Sequence, residues 1–428
     1  MTWAARIPTL AGLRYPQASF VLDFANNYYR GSGAQGSSPS ALPGYNFTRA
    51  LAAYAEDTAG NLIQFASGAP RITNKGVLIE ESRTNLLLQS QTFDNASWAK
   101  GSSTISADVI AAPDGTLTAD KLQEDSVNTS HQIMQTVSKS ASAIAYTYCV
   151  YAKASERSWV QLALYDGVSL GTRVWFNISS GTVGSTQNIG AGFTSVSTSI
   201  SAYVNGWYKV CVTATSSAAT NINPYIYVAT GDAVLSYAGT TGYGVYIWGA
   251  QLEAGSFPTS YIPTTSASVT RPADVFYYSG LSALSALTVA AQVSANHTPV
   301  GNEFPVSLDD GTGNNRLQWF HGAASPNSML PRVVTGGVAG NPDNIANGVL
   351  NLGSSAQAVA VASGRSMAAA NGVLSASGGS PSGVPPCTYL RVGANEGGAA
   401  WNNYIQRLAI YPFAASDAQL QSISSGNF

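Results

Sequence analysis

Short runs in which apolar and polar residues alternate, bounded by Gly, Asn, Asp and Ser, recur along almost the whole chain. Val, Ile, Thr, Tyr, Phe and Trp dominate these runs, as is usual in strands. Very few stretches have the three-to-four spacing of a helix, and the best is AASDAQLQSIS, with Ser416 as N-cap and Gln419 as its capping-box partner. The pattern predicts an all-β protein with two consecutive antiparallel β-sandwiches.

The spacing of strand-like runs and turn-rich stretches divides the chain of 428 residues into four segments. Residues 1–40 hold one strand-like run, SFVLDF, before a turn-rich stretch, and are predicted to be a docking or oligomerisation segment. Residues 41–85 have the pattern of a small β meander. Residues 86–264 have the strand spacing of a jelly roll, and after a stretch with three prolines residues 265–428 form a second sandwich with smaller side chains.

The low charge of the chain narrows its classes of function. Charged residues make up 10% of it and the formal net charge is -2, whereas an average soluble domain is about 25% charged. No cluster of Lys and Arg offers a surface for a phosphate backbone, so nucleic-acid binding is not expected. The apolar runs are shorter than the ~20 residues of a membrane-spanning helix, and the opening MTWAARIPTL is not expected to be a signal peptide.

Two long segments resemble the ends of a module found in bacteriophage head-spike, fibre and tail proteins. They are PRITNKGVLIEESRTNLLLQSQTFDNASW at 70–98 and the later YGVYIWGAQLEAGSFPTSYIPTTSASVTRPAD. The strands between them are similar to a carbohydrate-binding-module jelly roll. The C-terminal part is similar to laminin-G-like, concanavalin-type sandwiches, through FPVSLDDGTGNNRLQWF, MAAANGVLSAS and YLRVGANEGGAAWNNYIQRLAIYPFAASDAQLQSIS.

This resemblance implies a virion protein, assembled in the bacterial cytoplasm and exposed on the particle. We therefore expect a fibre or spike, commonly a homotrimer, that attaches to other virion proteins through its N-terminal segment and meets host surface polysaccharide. One alternative is a capsid decoration or cement protein without glycan binding. A third is a polysaccharide depolymerase, although no internal repeat predicts the parallel β-helix of many such enzymes.

The sequence favours a non-enzymatic protein. G-x-G-x-x-G at 31–36 and G-x-S-x-G at 167–171 are each followed by the wrong local pattern, turns in the first case and a strand in the second. The three histidines lack the spacing of zinc ligands. Carboxylate pairs for glycoside hydrolysis could be drawn from Glu80, Glu81, Glu253, Asp309 and Asp310, but Glu253 is better explained as holding a strand end or loop.

The three cysteines are too few and too scattered for a disulfide framework or a metal site. Cys149, Cys211 and Cys387 each follow or lie in an apolar run, so they are predicted to be buried thiols. A bridge between Cys149 and Cys211 would need their strands to face each other, and assembly in a reducing cytoplasm argues against it.

Aromatic rings are the candidate sugar-binding groups, because one face of a sugar is a row of C–H groups and amides or carboxylates can bind its hydroxyls. The alternative is that each ring fills the core. Tyr225 and Tyr227 must share one face of their strand. The candidates in the first sandwich are Trp159, Tyr165, Asp166, Trp175, Asn177, Tyr225 and Tyr227.

The second sandwich has two weaker candidate sites. Trp401, Asn402 and Tyr404 place aromatic rings beside an amide at the start of a strand. Asp309, Asp310 and Asn314 crowd one hairpin and could supply oxygens to Ca²⁺. The same composition is typical of an ordinary turn, which is the preferred interpretation. No other cofactor is expected.

Overall fold

The computed structural model describes residues 17–299, 301–322, 325–341 and 353–428. These residues lie almost entirely in or between antiparallel strands, which confirms the all-β prediction. The one α-helix among them is α1 (Asp417–Ser424), whose capping box of Ser416 and Gln419 is formed as predicted. No helix in the described ranges is long and apolar enough to cross a membrane.

The strands are numbered in chain order. The first group is β1 (Phe20–Asp23), β2 (Tyr28–Gly31), β3 (Ala34–Gly36), β4 (Tyr45–Thr48), β5 (Ala53–Glu56), β6 (Leu62–Phe65), β7 (Arg71–Thr73), β8 (Gly76–Ile79) and β9 (Arg83–Asn85). The second is β10 (Ala99–Gly101), β11 (Ser103–Ile110), β12 (Ala119–Glu124), β13 (Asn128–Thr129), β14 (His131–Met134), β15 (Val137–Ser138), β16 (Ala145–Ala154), β17 (Trp159–Tyr165), β18 (Gly171–Asn177), β19 (Thr182–Ile189), β20 (Thr194–Ala202), β21 (Trp207–Thr215), β22 (Asn221–Ala229), β23 (Tyr237–Ala238), β24 (Gly244–Ala254) and β25 (Val269–Arg271). The third is β26 (Val275–Ser279), β27 (Ala286–Ala295), β28 (Glu303–Asp309), β29 (Arg316–Gly322), β30 (Ser325–Thr335), β31 (Val338–Ala339), β32 (Gly353–Ala362), β33 (Arg365–Ala370), β34 (Val373–Leu374), β35 (Tyr389–Val392) and β36 (Asn403–Tyr411).

The chain divides into two compact units and passes between them four times. Unit 1 comprises Met1–Ala50, Ser67–Glu81 and Ala273–Phe428, and unit 2 comprises Leu51–Ala66 and Ser82–Pro272. Unit 2 is therefore inserted into unit 1, which differs from the consecutive arrangement expected from the sequence. The segment predicted to be a separate meander at 41–85 is divided between the units, because β5 and β6 pair with each other while β8 pairs with β36.

Unit 2 is a sandwich of two antiparallel sheets. One sheet has the order β10-β14-β22-β17-β18-β19, and the other has the order β11-β12-β24-β16-β21-β20. Alternate residues of each strand point inward, as the period of two requires. Val160, Leu162 and Leu164 of β17 belong to the same buried cluster as Val210 and Val212 of β21. The core of unit 2 thus lies between the two sheets.

Unit 1 is a larger sandwich. The sheet that contains β1, β36, β27 and β32 faces the sheet that contains β29, β28 and β35. Leu22 and Ile405 of the first sheet share a buried cluster with Leu317, Trp319 and Leu390 of the second. The first sheet is also covered on its other face, where Ala358 and Ala360 of β32 pack in a cluster with Leu420 and Ile423 of α1. This double burial explains the run AQAVAVASG: valines fill the core and alanines leave room for the helix.

The N-terminal segment predicted for docking is part of unit 1 where it is described. Strand β1 pairs with β36, with Phe20 opposite Ile410 and Asp23 opposite Arg407. Val21 and Leu22 are both 0% exposed and belong to different clusters on the two faces of the sheet. The boundary predicted at residue 40 is thus wrong for residues 20–36, since SFVLDF supplies a strand buried on both faces. Residues 1–16 of that segment lie outside the described residues.

Cys149 and Cys211 form a disulfide across β16 and β21. The two residues are directly opposite in the antiparallel register of those strands. The prediction that both are buried thiols is therefore wrong, because it depended on a pairing of strands that local sequence does not show. Cys387 is a buried free thiol as predicted, and burial raises its pKa to about 12.

A buried ionic network joins the three segments of unit 1. Asp274 accepts from Arg49 Nη1 at 3.0 Å, from Arg71 Nη2 and from the Glu80 backbone N–H at 2.9 Å. Arg71 Nη1 also donates to Glu80 Oε2 at 2.6 Å. Burial alone would lower the pKa of Arg71, but the carboxylates of Asp274 and Glu80 outweigh it and raise that pKa. Each of the four residues lies close in sequence to one of the points where the chain passes between the units.

Candidate functional site

The outward face of one sheet of unit 2 gathers most of the aromatic candidates. Because Val160, Leu162 and Leu164 point into the core, Trp159 and Tyr165 of the same strand point outward. The strand register places Tyr225 opposite Ala163 on β17, and Tyr227 opposite Gln161. Strands β17, β18 and β22 therefore carry a continuous outer surface of Trp159, Tyr165, Trp175, Tyr225 and Tyr227.

Three tyrosines form the part of this surface that we call the tyrosine platform: Tyr165, Tyr225 and Tyr227. The Tyr225 and Tyr227 rings are stacked, with centroids 5.4 Å apart and planes 15° apart. The Tyr165 ring meets Tyr225 edge-on at 5.3 Å. Tyr165 and Tyr225 are half-buried, whereas Tyr227 is 7% exposed. The three rings hold one another in place and combine apolar area with phenol groups.

Arg173 of β18 is the charged group beside the platform. Its Nε donates to Gln187 Oε1 at 2.8 Å, and its guanidinium carbon lies 5.6 Å from the centre of the Trp175 ring. Burial is the main cause that raises the pKa of Tyr165, and Arg173 opposes that rise.

Trp175 lies beneath a loop instead of on the open part of the face. Its Nε1 donates to the Val234 carbonyl at 3.0 Å, and the residue is 1% exposed. Trp159 is half-buried, and both its ring and the Asp232 carboxylate lie beside Gly184. In this part of the surface the loop that follows β22 covers the aromatic rings, so the aromatic side chains with more exposed area are Tyr165 and Tyr225.

Gln161 lies in the same row of the sheet, opposite Tyr227 on one side and Trp175 on the other. It is 0% exposed, and neither its Oε1 nor its Nε2 has a hydrogen-bond partner. A buried amide without partners costs about 1–3 kcal/mol of stability. The outer face thus contains a polar group that the protein itself does not satisfy.

Asp166 and Asn177 belong to turns. Asp166 Oδ1 accepts from the backbone N–H groups of Val168, Ser169 and Leu170 at 2.9–3.0 Å. Burial opposes but does not overcome these bonds, and the pKa of Asp166 is lowered. Asn177 Oδ1 accepts from the Ser179 N–H at 3.0 Å in the next hairpin. Both side chains shape the ends of β-hairpins, so neither oxygen is directed at the platform.

In unit 1, Trp401 and Tyr404 are buried and Asn402 lies in a turn. Trp401 is 1% exposed, and its ring meets the His321 ring edge-on at 4.8 Å. Asn402 has a positive φ of 58° and its Oδ1 accepts from the Glu81 N–H at 2.8 Å. Tyr404 is 7% exposed. Burial lowers the pKa of His321 to about 4, against a hydrogen bond with Gln357 that raises it.

The acidic hairpin of unit 1 has ordinary turn bonding. Asp309 holds Arg391 through two bonds, of 2.7 and 3.0 Å, and accepts from the Gly311 N–H at 2.9 Å. Asp310 accepts from Thr312 Oγ1 at 2.6 Å and from Asn315 Nδ2 at 2.7 Å. Asn314 is exposed. The two carboxylates are engaged with different partners, and the described residues contain no group of three acidic, histidine or cysteine side chains placed to hold a metal ion.

The remaining carboxylates singled out in the sequence have structural partners. Glu253 is 0% exposed and accepts from Thr259 N–H at 2.8 Å and Thr259 Oγ1 at 2.7 Å, so it holds the following loop as predicted. Glu80 is part of the buried ionic network. Glu81 contacts Asn402 through its backbone N–H.

Sequence reasoning did not select Arg173 or Gln187. The alternation in TRVWFN places Arg173 on the same face as Trp175, which was the available signal for the arginine. The pairing of Arg173 with Gln187 depends on the register between β18 and β19, and no local pattern fixes that register.

No family model matches the chain, and no curated protein sequence matches it significantly. Among solved structures it is similar to the CBM40 of the Ruminococcus gnavus IT-sialidase, at 17% identity over 33% of this chain and 84% of that chain, with a TM-score of 0.27. It is also similar to domain 4 of AbnA, a GH43 extracellular arabinanase from Geobacillus stearothermophilus, in complex with arabinotriose, at 15% identity over 39% and 82% of the chains, with a TM-score of 0.30. The Trypanosoma rangeli sialidase matches at 9% identity over 72% and 61%, with a TM-score of 0.27. At these TM-scores the likenesses carry no argument about fold or ligand.

Proposed function

We propose that the chain is a non-enzymatic glycan-binding protein of a bacteriophage particle, a fibre or spike whose tyrosine platform binds host surface polysaccharide. The platform is the observation that carries the proposal. Tyr225 and Tyr227 stack on the outward face of a sheet whose other face fills the core. Aromatic rings, a guanidinium and side-chain amides together suit a ligand with C–H faces and hydroxyl groups.

The proposal that the chain belongs to a phage particle is supported by the two segments that resemble phage spike and fibre proteins. The parts of these segments that belong to unit 2 lie together, since β9 pairs with β25 and Asn85 Nδ2 donates to the carbonyls of Ala250 and Ile262 at 3.0 and 2.9 Å. The same proposal includes attachment to the particle through residues 1–16 and assembly as a homotrimer. It does not include a calcium ion.

The glycan-binding part is tested on an array of bacterial surface polysaccharides with the purified chain and Tyr225→Ala. We expect the variant to lose about tenfold or more in affinity, because central aromatic contacts dominate such interfaces. Tyr243→Ala is the matched control, since Tyr243 is an exposed tyrosine of unit 2 outside the platform. Equal binding by wild type and Tyr225→Ala, or binding to no glycan, would refute the platform.

The particle part is tested by mass spectrometry of purified virions and by a cryo-EM map of them. Projecting copies with unit 2 in solvent would support a fibre or spike. Copies lying flat on the shell with the platform covered by protein would favour a cement protein, and absence of the chain from virions would end the proposal.

A further inference from the structure

Arg173 is surrounded by uncharged side chains in its row of the sheet. Its row of the sheet runs Tyr225, Ala163, Arg173 and Gln187 across β22, β17, β18 and β19. Ala163 has no side chain beyond its Cβ, so the longer side chains of Tyr225 and Arg173 border it on both sides. The guanidinium thus lies in a row made of an aromatic ring, a methyl group and an amide.

No carboxylate of the described residues lies within ion-pair distance of Arg173. Several other arginines of the two units are neutralised by a carboxylate: Arg157 pairs with Glu124, Arg316 with Glu396, and Arg365 with Asp417. The chain has 20 basic and 22 acidic residues among 428. In so charge-poor a protein, a half-buried arginine beside three tyrosines without an acidic partner is a local excess of positive charge.

The protein also holds Arg173 in position. Nε donates to Gln187 Oε1, and the guanidinium carbon lies 5.6 Å from the centre of the Trp175 ring. A guanidinium has five N–H donors, so these two contacts orient the group and leave donors for another molecule. Carboxylates are the ligands that match its planar fork, with two parallel charge-assisted hydrogen bonds. A side chain that is already oriented loses less conformational entropy when it binds.

We propose that the tyrosine platform recognises an acidic polysaccharide, with a sugar carboxylate on Arg173 and an adjacent sugar ring against Tyr225. This inference rests on the glycan-binding function proposed above and makes it specific to the chemistry of the ligand. Uronic acids and sialic acids share the carboxylate and are both included. A neutral polysaccharide would leave the guanidinium without its partner.

The test uses the full chain and three polysaccharides, polygalacturonate, hyaluronan and polysialic acid, each before and after chemical reduction of its carboxylates to alcohols. Affinity is measured by biolayer interferometry at low and at physiological salt. We expect at least one acidic form to bind, its reduced form to bind about tenfold or more weakly, and salt to weaken only the acidic form. This comparison needs no variant of the protein.

Arg173→Gln and Arg173→Lys then localise the effect. Glutamine should reduce binding of the acidic form to the level of the reduced form, and lysine should restore part of it, because lysine keeps the charge without the planar fork. Arg365→Gln is the control, since it removes the same charge from an exposed pair of unit 1.

Two results would overturn the inference while leaving glycan binding intact. One is equal affinity for the acidic and the reduced forms; the other is array binding of neutral glycans that is lost in Tyr225→Ala but unchanged in Arg173→Gln. Binding to neither the array nor any of the three acidic polysaccharides would overturn the proposed function itself, and the inference with it.

Discussion

Replacing Asp274 with alanine should destabilise unit 1 severely. Its two carboxylate oxygens serve Arg49, Arg71 and the Glu80 backbone N–H. The side chains of Asp274, Arg49 and Arg71 are all 0% exposed, so no water can replace the lost carboxylate without rearrangement. Removing one partner of a buried ion pair typically costs about 3–5 kcal/mol.

The matched control is Asp417→Ala, which removes the carboxylate of an exposed pair in the same unit. Arg365 and Asp417 are 37% and 55% exposed and lie 2.7 Å apart. An exposed pair contributes about 0–1 kcal/mol. The two variants delete the same side chain, so the difference between them measures the effect of burial.

Hydrogen exchange followed by mass spectrometry at increasing urea concentration separates the two units. Peptides from β36 report on unit 1 and peptides from β16 report on unit 2. We expect the opening free energy of the β36 peptides to fall by about 3–5 kcal/mol in Asp274→Ala and that of the β16 peptides to change little. A loss in Asp274→Ala no larger than in the Asp417→Ala control would refute the reasoning.

Three further predictions concern buried side chains. The pKa of His321 is about 4 in the folded protein, below the ordinary 6.5, so its contribution to stability is complete above pH 6.5 and is lost as the pH falls towards 4. The loss is roughly 3 kcal/mol, and urea midpoints of His321→Gln should lack that part of the pH dependence. Cys149→Ser should cost unit 2 about 2–5 kcal/mol, and thiol titration of the denatured wild type should count one free cysteine, Cys387, where three would disprove the bridge. Gln161→Met should raise the unfolding free energy of unit 2 by about 1 kcal/mol, as measured by urea unfolding, because it removes an unpartnered buried amide.

The local period of the sequence was enough to predict the strands and which side chains share a face. Alternation placed Tyr225 with Tyr227, and both lie on the outer surface of their sheet. The same reasoning could not separate Tyr225 from Trp175, because the loop that covers Trp175 comes from a distant part of the chain.

Pairing between distant strands was the part that the sequence did not reveal. The insertion of unit 2 depends on β1 finding β36, and the disulfide depends on the register that sets Cys149 opposite Cys211. The surroundings of Trp401 and Asn402 were hidden for a related reason. Their partners, His321 and Glu81, are far away in sequence, so burial and turn geometry could not be seen locally.

The pairing of β1 with β36 has a consequence for synthesis. The Ser19 hydroxyl donates to the Ile410 carbonyl across a sequence separation of 391 residues. At the usual speed of translation, on the order of 20 to 80 s pass between the synthesis of β1 and that of β36. During that time β1 has an open hydrogen-bonding edge and two apolar faces, while most of unit 2 has already left the ribosome and can fold. The edge of β1 that does not pair with β2 must therefore stay unpaired, or be shielded, until β36 is made.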